Sequence, residues 1–336
     1  MKESKGFKII ISILMGLTML WGAFCGLGLI AFGRTLIHKS DYGITVAGVT
    51  VTRENKGDIL GDGTVFYSAS SNILTFNNAV IEYDATILHS EIDLRVNLVG
   101  ENKFICKDNS SIIAIVVSDY FLEKNLSLEG DGSLLIGFQN VSEQPVGIYA
   151  GDLMVMTNLT IQTPDNAGIP TGIICFDSLT LKDTANVAVN VGSGQSSAAV
   201  MVRGNTIIEP DAKMAVSVNP GCTEACRGFC VEGELVLGKG AALSVTVDDG
   251  IAEYSECLSV AGVLDIAADA TLTAAAQKAN AIECYTSVKL NKGGSVAAAT
   301  AGENADICCY GAFVNYGGTV DAEVEAFGGI HNKAGN

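Results

Sequence analysis

The stretch from Gly228 to Val247, GFCVEGELVLGKGAALSVTV, alternates apolar and polar residues three times, interrupted by EGE and then by GKG. Alternation with period 2 turns one face of a strand toward a core and the other toward solvent. The same pattern recurs along most of the chain. Ile148, Ile173, Val200, Phe229, Leu258, Ile282 and Ile307 follow one another at steps of 25, 27, 29, 29, 24 and 25 residues. Two positions after each comes a second inward residue: Ala150, Cys175, Val202, Val231, Val260, Cys284 and Cys309. After a break there is another pair, Met154/Met156, Leu179/Leu181, Thr206/Ile208, Leu235/Leu237, Leu264/Ile266, Val288/Leu290 and Phe313/Asn315. A third strand completes most units, as at Val187/Val189, Leu243/Val245/Val247, Leu272/Ala274/Ala276 and Val296/Ala298.

A repeat of 20–50 residues built from short alternating strands signals a solenoid. Each unit is one coil of three strands, with glycine at corners where unusual φ is needed. One coil cannot bury its inward face alone, so coils stack in parallel and in register. Weaker matches at Ile87 and Ile115 extend the array to about nine coils, a rod of roughly 40 Å at ~4.8 Å per strand. A β-sandwich is the alternative, but sandwiches rarely repeat one residue pattern through six successive steps.

Residues 42–84 precede the array and read as strand, polar turn, strand, turn and strand, with Asp62-Gly63 a favoured tight-turn pair. Open solenoid ends expose unpaired strand edges, so this segment is expected to be an N-terminal β cap, with the parallel coils over residues 85–336. Asp62 and Asp131, each in a GDG triplet, are expected to be turn formers rather than ligands.

The cap also carries a resemblance. VTVTRENKGDILGDG from Val49, then NILTFNNAVIE from Asn72, then LRVNLVGENKF from Leu94 to Phe104 resemble the opening of a bacterial family of exported β-helical proteins described as carbohydrate-binding domain-containing. The matched pattern is V-x-V-T-x-x-N-x-x-D-I-L-G-D-G followed by L-T-L-x-N-A, with Phe76 in place of the second leucine. It covers about residues 42–104; later coils match only as generic β-helix. The resemblance implies a cell-surface location and glycan binding, and it carries no binding residues over. With the crossover preference it also implies right-handed winding. The expected fold is therefore all-β, a right-handed parallel β-helix with an N-terminal β cap, preceded by one transmembrane helix.

That helix comes from the first 39 residues. Residues 1–8 carry Lys2, Lys5 and Lys8, and residues 9–33 then run without a charge to Arg34. A run of this length spans ~30 Å of hydrocarbon at 1.5 Å per residue. Basic residues on the short side predict a cytoplasmic N-terminus, with residues 34–41 a linker and the rest outside the cell. The alternative is a cleaved secretory signal ending at Ala31-Phe32-Gly33, although the apolar stretch exceeds the ~7–15 residues usual for one. A lipoprotein anchor at Cys25 fits poorly, since Phe24 stands where a small residue is wanted.

Composition narrows the partners. The chain has 336 residues and a net charge of −17, which argues against nucleic acid. With 48% hydrophobic residues it is not a disordered chain. Three histidines supply little imidazole chemistry, and no cofactor or metal motif is present. The zinc-like Cys222-x3-Cys226-x3-Cys230 has no nearby histidine; a loop disulfide between Cys222 and Cys226 is the competing expectation. Cys175, Cys284 and Cys309 share one inward position and read as a buried apolar ladder, with a Cys284–Cys309 disulfide conceivable if the Cβ geometry allows.

A glycosidase needs two carboxylates ~5–10 Å apart across a sugar-sized cleft, and no pair among the many Asp and Glu stands out, so no catalytic residue is assigned. Sugar binding needs exposed aromatic faces rimmed by polar groups. The best candidate is the outward column Phe176, Arg203, Glu232, Tyr285 and Tyr310, flanked by Tyr149, with Tyr285 and Tyr310 one coil apart as a small platform. Ordinary cross-coil stacking, worth tenths of a kcal/mol per pair, is the plainer account of the same residues. The expected function is a non-catalytic carbohydrate-binding or adhesion module with glycans or surface proteins as partners. A polysaccharide lyase or glycoside hydrolase and a structural surface spacer are the alternatives.

Overall fold

The computed structural model describes residues 41–107, 112–119 and 122–333. The expected cytoplasmic segment, membrane span and most of the linker lie outside them. No helix among the described residues is long and apolar enough to cross a membrane; every named element is a strand.

The strands form three sheets, two of twelve strands and one of ten. With sheet A the twelve-stranded sheet that contains Asp41–Val46, sheet B the twelve-stranded sheet that contains Val65–Ser68 and sheet C the ten-stranded sheet, the chain visits B, C and A in turn and then steps up one level, making a parallel β-solenoid of about nine turns. Inward positions of all three sheets form one continuous core from Ile44 to Phe313. The stretch quoted first runs from the end of Ala225–Val231 in sheet A through Leu235–Leu237 in sheet B to Ala242–Val247 in sheet C.

The expected register holds residue for residue along sheet A. Ile148 pairs with Ile173, Ile173 with Val200, Val200 with Phe229, Phe229 with Leu258, Leu258 with Ile282, and Ile282 with Ile307. Two expectations slip by one residue. Leu153 and Val155, not Met154 and Met156, pair with Leu179 and Leu181. The corner after Ala150 is one residue shorter than the others, which shifts the period-2 frame and turns Met154 outward. Leu88, not Ile87, pairs with Ile115. Both Ile87 and Leu88 are fully buried, so alternation alone cannot separate them.

That double burial recurs in sheet A. Ala114, Gly147, Gly172, Ala199, Gly228, Cys257 and Ala281 each lie buried just before the inward residue. The ladder skips this position, pairing Ala198 with Arg227 and then Val200 with Phe229. A Cβ on Gly172 would fall 2.3 Å from Val189 Cγ1 and 2.4 Å from the Ala199 oxygen, and one on Gly228 would fall 2.4 Å from the Cys257 oxygen. The strand bends inward here, and little space remains for side chains.

At the N-terminal end, Asp41–Val46 runs antiparallel to Leu88–Ser90, and Val65–Ser68 runs antiparallel to Ile73–Asn77. Antiparallel pairing thus replaces parallel stacking at the N-terminal edge of two of the three sheets. Parallel pairing already begins at Ile73, against Arg95, earlier than the expected start of the coils at residue 85. The polar residues of the resemblance pattern are spent on turns. Asn55 Oδ1 accepts the Thr52 N–H at 2.7 Å, and Asp58 Oδ1 accepts those of Gly61 and Gly63 at 2.9 Å each. Asp62 Oδ1 accepts from the Thr64 N–H and hydroxyl, which holds its carboxyl below the usual range.

One core position is polar without need. Thr206 is fully buried between Leu179 and Leu235, and its hydroxyl has no hydrogen-bond partner. Thr206→Val keeps the shape and removes the unpaired group, which costs about 1–3 kcal/mol when buried. The expected result is a gain of about 1 kcal/mol in a urea unfolding curve.

Candidate functional site

The expected outward column lies at the corner where sheet A turns into sheet B. One hydrogen bond repeats there from coil to coil. The N–H of Phe176 donates to Ala150, Arg203 to Cys175, Glu232 to Val202, Ala261 to Val231, Tyr285 to Val260, Tyr310 to Cys284 and Phe327 to Cys309, at 2.8–3.0 Å. These seven residues therefore stand one above another, one per coil.

The structure divides the column into two stacks. In the first, Tyr149 and Phe176 have ring centroids 5.0 Å apart at 53°, and the Arg203 guanidinium lies 4.3 Å from the Phe176 centroid. The Tyr149 hydroxyl donates to Glu123 at 3.3 Å. Phe176 thus has Tyr149 against it from one side and Arg203 from the other. In the second stack, Tyr285 and Tyr310 lie 5.0 Å apart at 11°, and Tyr310 and Phe327 5.6 Å apart at 13°. These three rings are 47%, 48% and 65% exposed. Because they stack along the solenoid axis, they present edges outward and hide the faces between them. The expected platform is a ladder.

Glu283, one strand position away on the outer face of sheet A, fixes the ladder. Its Oε1 accepts from the Tyr310 hydroxyl at 3.1 Å. Burial and the Glu283 charge push Tyr285 well above the usual phenol range; the Glu283 hydrogen bond raises Tyr310. Both phenols are therefore protonated donors at neutral pH.

Beside the first stack, and reaching as far as the coil before Tyr285, runs a groove of about 460 Å³ lined by Ile174, Met201, Cys230 and Ser259 and by Phe176, Arg203, Glu232 and Ala261 of the column. Arg227 crosses it to pair with Glu256, Nε to Oε2 at 3.1 Å, and its guanidinium lies 5.1 Å from the Tyr254 centroid. Burial, then a hydrogen bond to Glu256, pushes Tyr254 up to about 12. Glu256 also accepts from the Cys230 thiol at 3.6 Å. Among the described residues, Arg203 and Glu232 make no ion pair.

A larger depression, about 690 Å³, lies on sheet C over Ala275, Ala297 and Ala299. It has no aromatic lining, and the carboxylate of its Asp306 is already taken by the Thr300 and Glu323 N–H groups. The smaller groove is the one with recognition chemistry.

All nine cysteines among the described residues are free thiols. Cys175, Cys284 and Cys309 are fully buried at the shared inward position. The neighbouring Cys226 thiol pulls Cys222 down to about 6, and Cys222 in turn pushes Cys226 up. No group of three or more His, Cys, Asp or Glu among the described residues is arranged to hold a metal.

Phe327, Arg227, Glu256 and Glu283 were absent from the expected binding column. Phe327 had a local signal: Ala326-Phe327-Gly328-Gly329-Ile330 echoes Cys309-Tyr310-Gly311-Ala312-Phe313, but it follows after 17 residues rather than 24–29. No protein-family model, no curated protein and no solved structure matches the chain.

Proposed function

We propose that the protein is a non-catalytic carbohydrate-binding or adhesion module displayed outside the cell by an anchor at residues 9–33, its coils winding right-handed. The observation that carries this reading is the ladder Tyr285–Tyr310–Phe327, three half-exposed aromatic rings held beside a groove with polar walls. Aromatic carbon beside hydrogen-bonding groups is the chemistry that recognises sugars. The resemblance of residues 42–104 to exported carbohydrate-binding domain-containing proteins points the same way. The hydrolase alternative would need two carboxylates free to act across the groove, and Glu256 is bound up with Arg227.

The test is an array of plant, mucin and bacterial-wall glycans probed with the native chain and with Tyr285→Ala/Tyr310→Ala, folding being checked by circular dichroism. At least a tenfold loss of binding in the folded double variant is the expected outcome. Binding that persists undiminished would move the site elsewhere, and a native chain that binds no glycan would favour the spacer.

A further inference from the structure

One member of the corner column has almost no side chain. Ala261 stands between Glu232, one coil before it, and Tyr285, one coil after it. Glu232 and Tyr285 are two coils apart, about 10 Å at the usual strand spacing, and Ala261 fills little of the interval. Tyr285 is stacked on Tyr310 by one face; its other face is turned toward this gap. The gap opens into the groove, whose lining ends at Ala261.

We infer that the notch over Ala261 is a sugar subsite that seats a single uncharged pyranose ring against the open face of Tyr285. The inference rests on the carbohydrate-binding reading and names the sugar class and the place. A pyranose is apolar on its C–H face and polar around its rim, and it needs one flat aromatic face with acceptors at the edges. Tyr285 supplies the face, and its plane is fixed on the far side by Tyr310, whose own hydroxyl is held by Glu283. The Glu232 carboxylate, without an ion-pair partner among the described residues, faces the ring from the opposite wall as a hydrogen-bond acceptor.

Charge selects among sugars. Glu232 and Glu256 edge the groove beside Ala261, Glu283 stands at the Tyr285 hydroxyl, and the whole chain carries −17. Arg227, the cation nearest Glu256, is paired with it, and the groove's other cation, Arg203, lies against the Phe176 ring two coils from Ala261, with Glu232 between. A uronate or sulfated sugar would meet like charge, whereas hexose hydroxyls and acetamido N–H groups would meet acceptors. Ring orientation selects further. The tyrosine planes stack along the solenoid axis, so a sugar stacked on Tyr285 lies across that axis as well. Its equatorial linkages then point along the strands or out to solvent, not up the column, and the subsite suits a chain-terminal residue.

The decisive variant fills the notch rather than removing anything. Ala261→Phe places a ring at an exposed corner, where it would continue the ladder below Tyr285 and occupy the sugar's place. The full-length chain, held in a zwitterionic detergent free of sugar, is examined by saturation-transfer NMR. The probes are the methyl pyranosides of glucose, galactose, mannose and N-acetylglucosamine, and methyl glucuronide. The native chain is expected to transfer saturation to at least one neutral glycoside and not to the glucuronide. Ala261→Phe and Tyr285→Leu are each expected to weaken that binding at least tenfold, with Ala261→Phe keeping or raising the melting temperature. Undiminished binding by a folded Ala261→Phe chain would overturn the subsite and leave the carbohydrate reading standing. Preference for the glucuronide, or no transfer to any neutral glycoside at millimolar concentration, would overturn the sugar class. Silence on the whole glycan array as well would remove the underlying function.

Discussion

Phe229→Ala is expected to destabilise the protein by about 3–5 kcal/mol, the range for emptying a buried aromatic site. Phe229 is fully buried in the middle of sheet A, between Val200 and Leu258 in the inward column. The coil cannot close over the gap easily, because the chain beside it is packed so tightly that even a Cβ on Gly228 would fall 2.4 Å from the Cys257 oxygen and 2.7 Å from Val247 Cγ2. A solenoid adds a consequence that a globular core would lack. Each coil rests only on its neighbours, so stability is a sum of coil and interface terms along one dimension. A cavity at a central coil weakens both interfaces and should split the array. Urea unfolding followed by circular dichroism should therefore move to lower denaturant and broaden or divide in two. Phe313→Ala, near the last coils, removes the same ring but should only fray the end. Equal single-step shifts for both variants would contradict the one-dimensional picture.

Asp249→Ala is expected to cost about 2–4 kcal/mol. Asp249 is fully buried, and its carboxylate gathers the corner of the next coil. Oδ1 accepts the N–H groups of Gln277 and Lys278 at 2.8 and 2.9 Å, and Oδ2 accepts that of Ala279 at 2.8 Å. A hydrogen bond to a charged group is worth about 1.5–3 kcal/mol, and a buried donor left without a partner costs about 1–3; water entering the vacated corner offsets part of the sum. Asp249→Asn should lose less, since one oxygen remains, but its amide would face one of the three donors. Hydrogen exchange at residues 277–279 provides the check. Fast exchange confined to that corner in the alanine variant is the expected pattern; unchanged protection would show that other contacts hold the turn.

Asp165 and Asp306 join coils in a related way, through the N–H groups of Ser193 at 3.1 Å and Glu323 at 2.8 Å. Acidic corners of this kind account for part of the carboxylate excess without any catalytic role. At Asp248-Asp249-Gly250 the sequence suggests a turn, and only the structure shows that one of the two aspartates is an interior anchor.

The candidate site was partly legible in the same way. Phe176, Arg203, Glu232, Tyr285 and Tyr310 do form one column, as their spacing predicted, while Tyr149 packs on Phe176 from the preceding coil. Their division into two stacks was not visible, because a gap is made by what is small. Ala261 attracts no notice in a sequence searched for aromatic and charged residues. Spacing does place Arg227 beside Glu256, 29 residues on, the same step that carries Phe229 to Leu258; the ion pair between them follows from that register.

By itself the sequence determined the coil, its three strands, the parallel stacking and nearly every core pair. It could do so because in a solenoid the spatial neighbour of a residue is its counterpart one repeat away, so a linear period reports tertiary contact. Where a corner changed length after Ala150, or two consecutive residues were buried at Ile87 and Leu88, the period lost one residue of phase. Only the tertiary structure decided which faces of the aromatic rings stay open. Ring planes at an exposed corner are set by the neighbouring ring and by a hydrogen-bonding carboxylate, as Tyr285 is stacked on Tyr310 and Tyr310 is held by Glu283, and neither backbone register nor residue type specifies that angle.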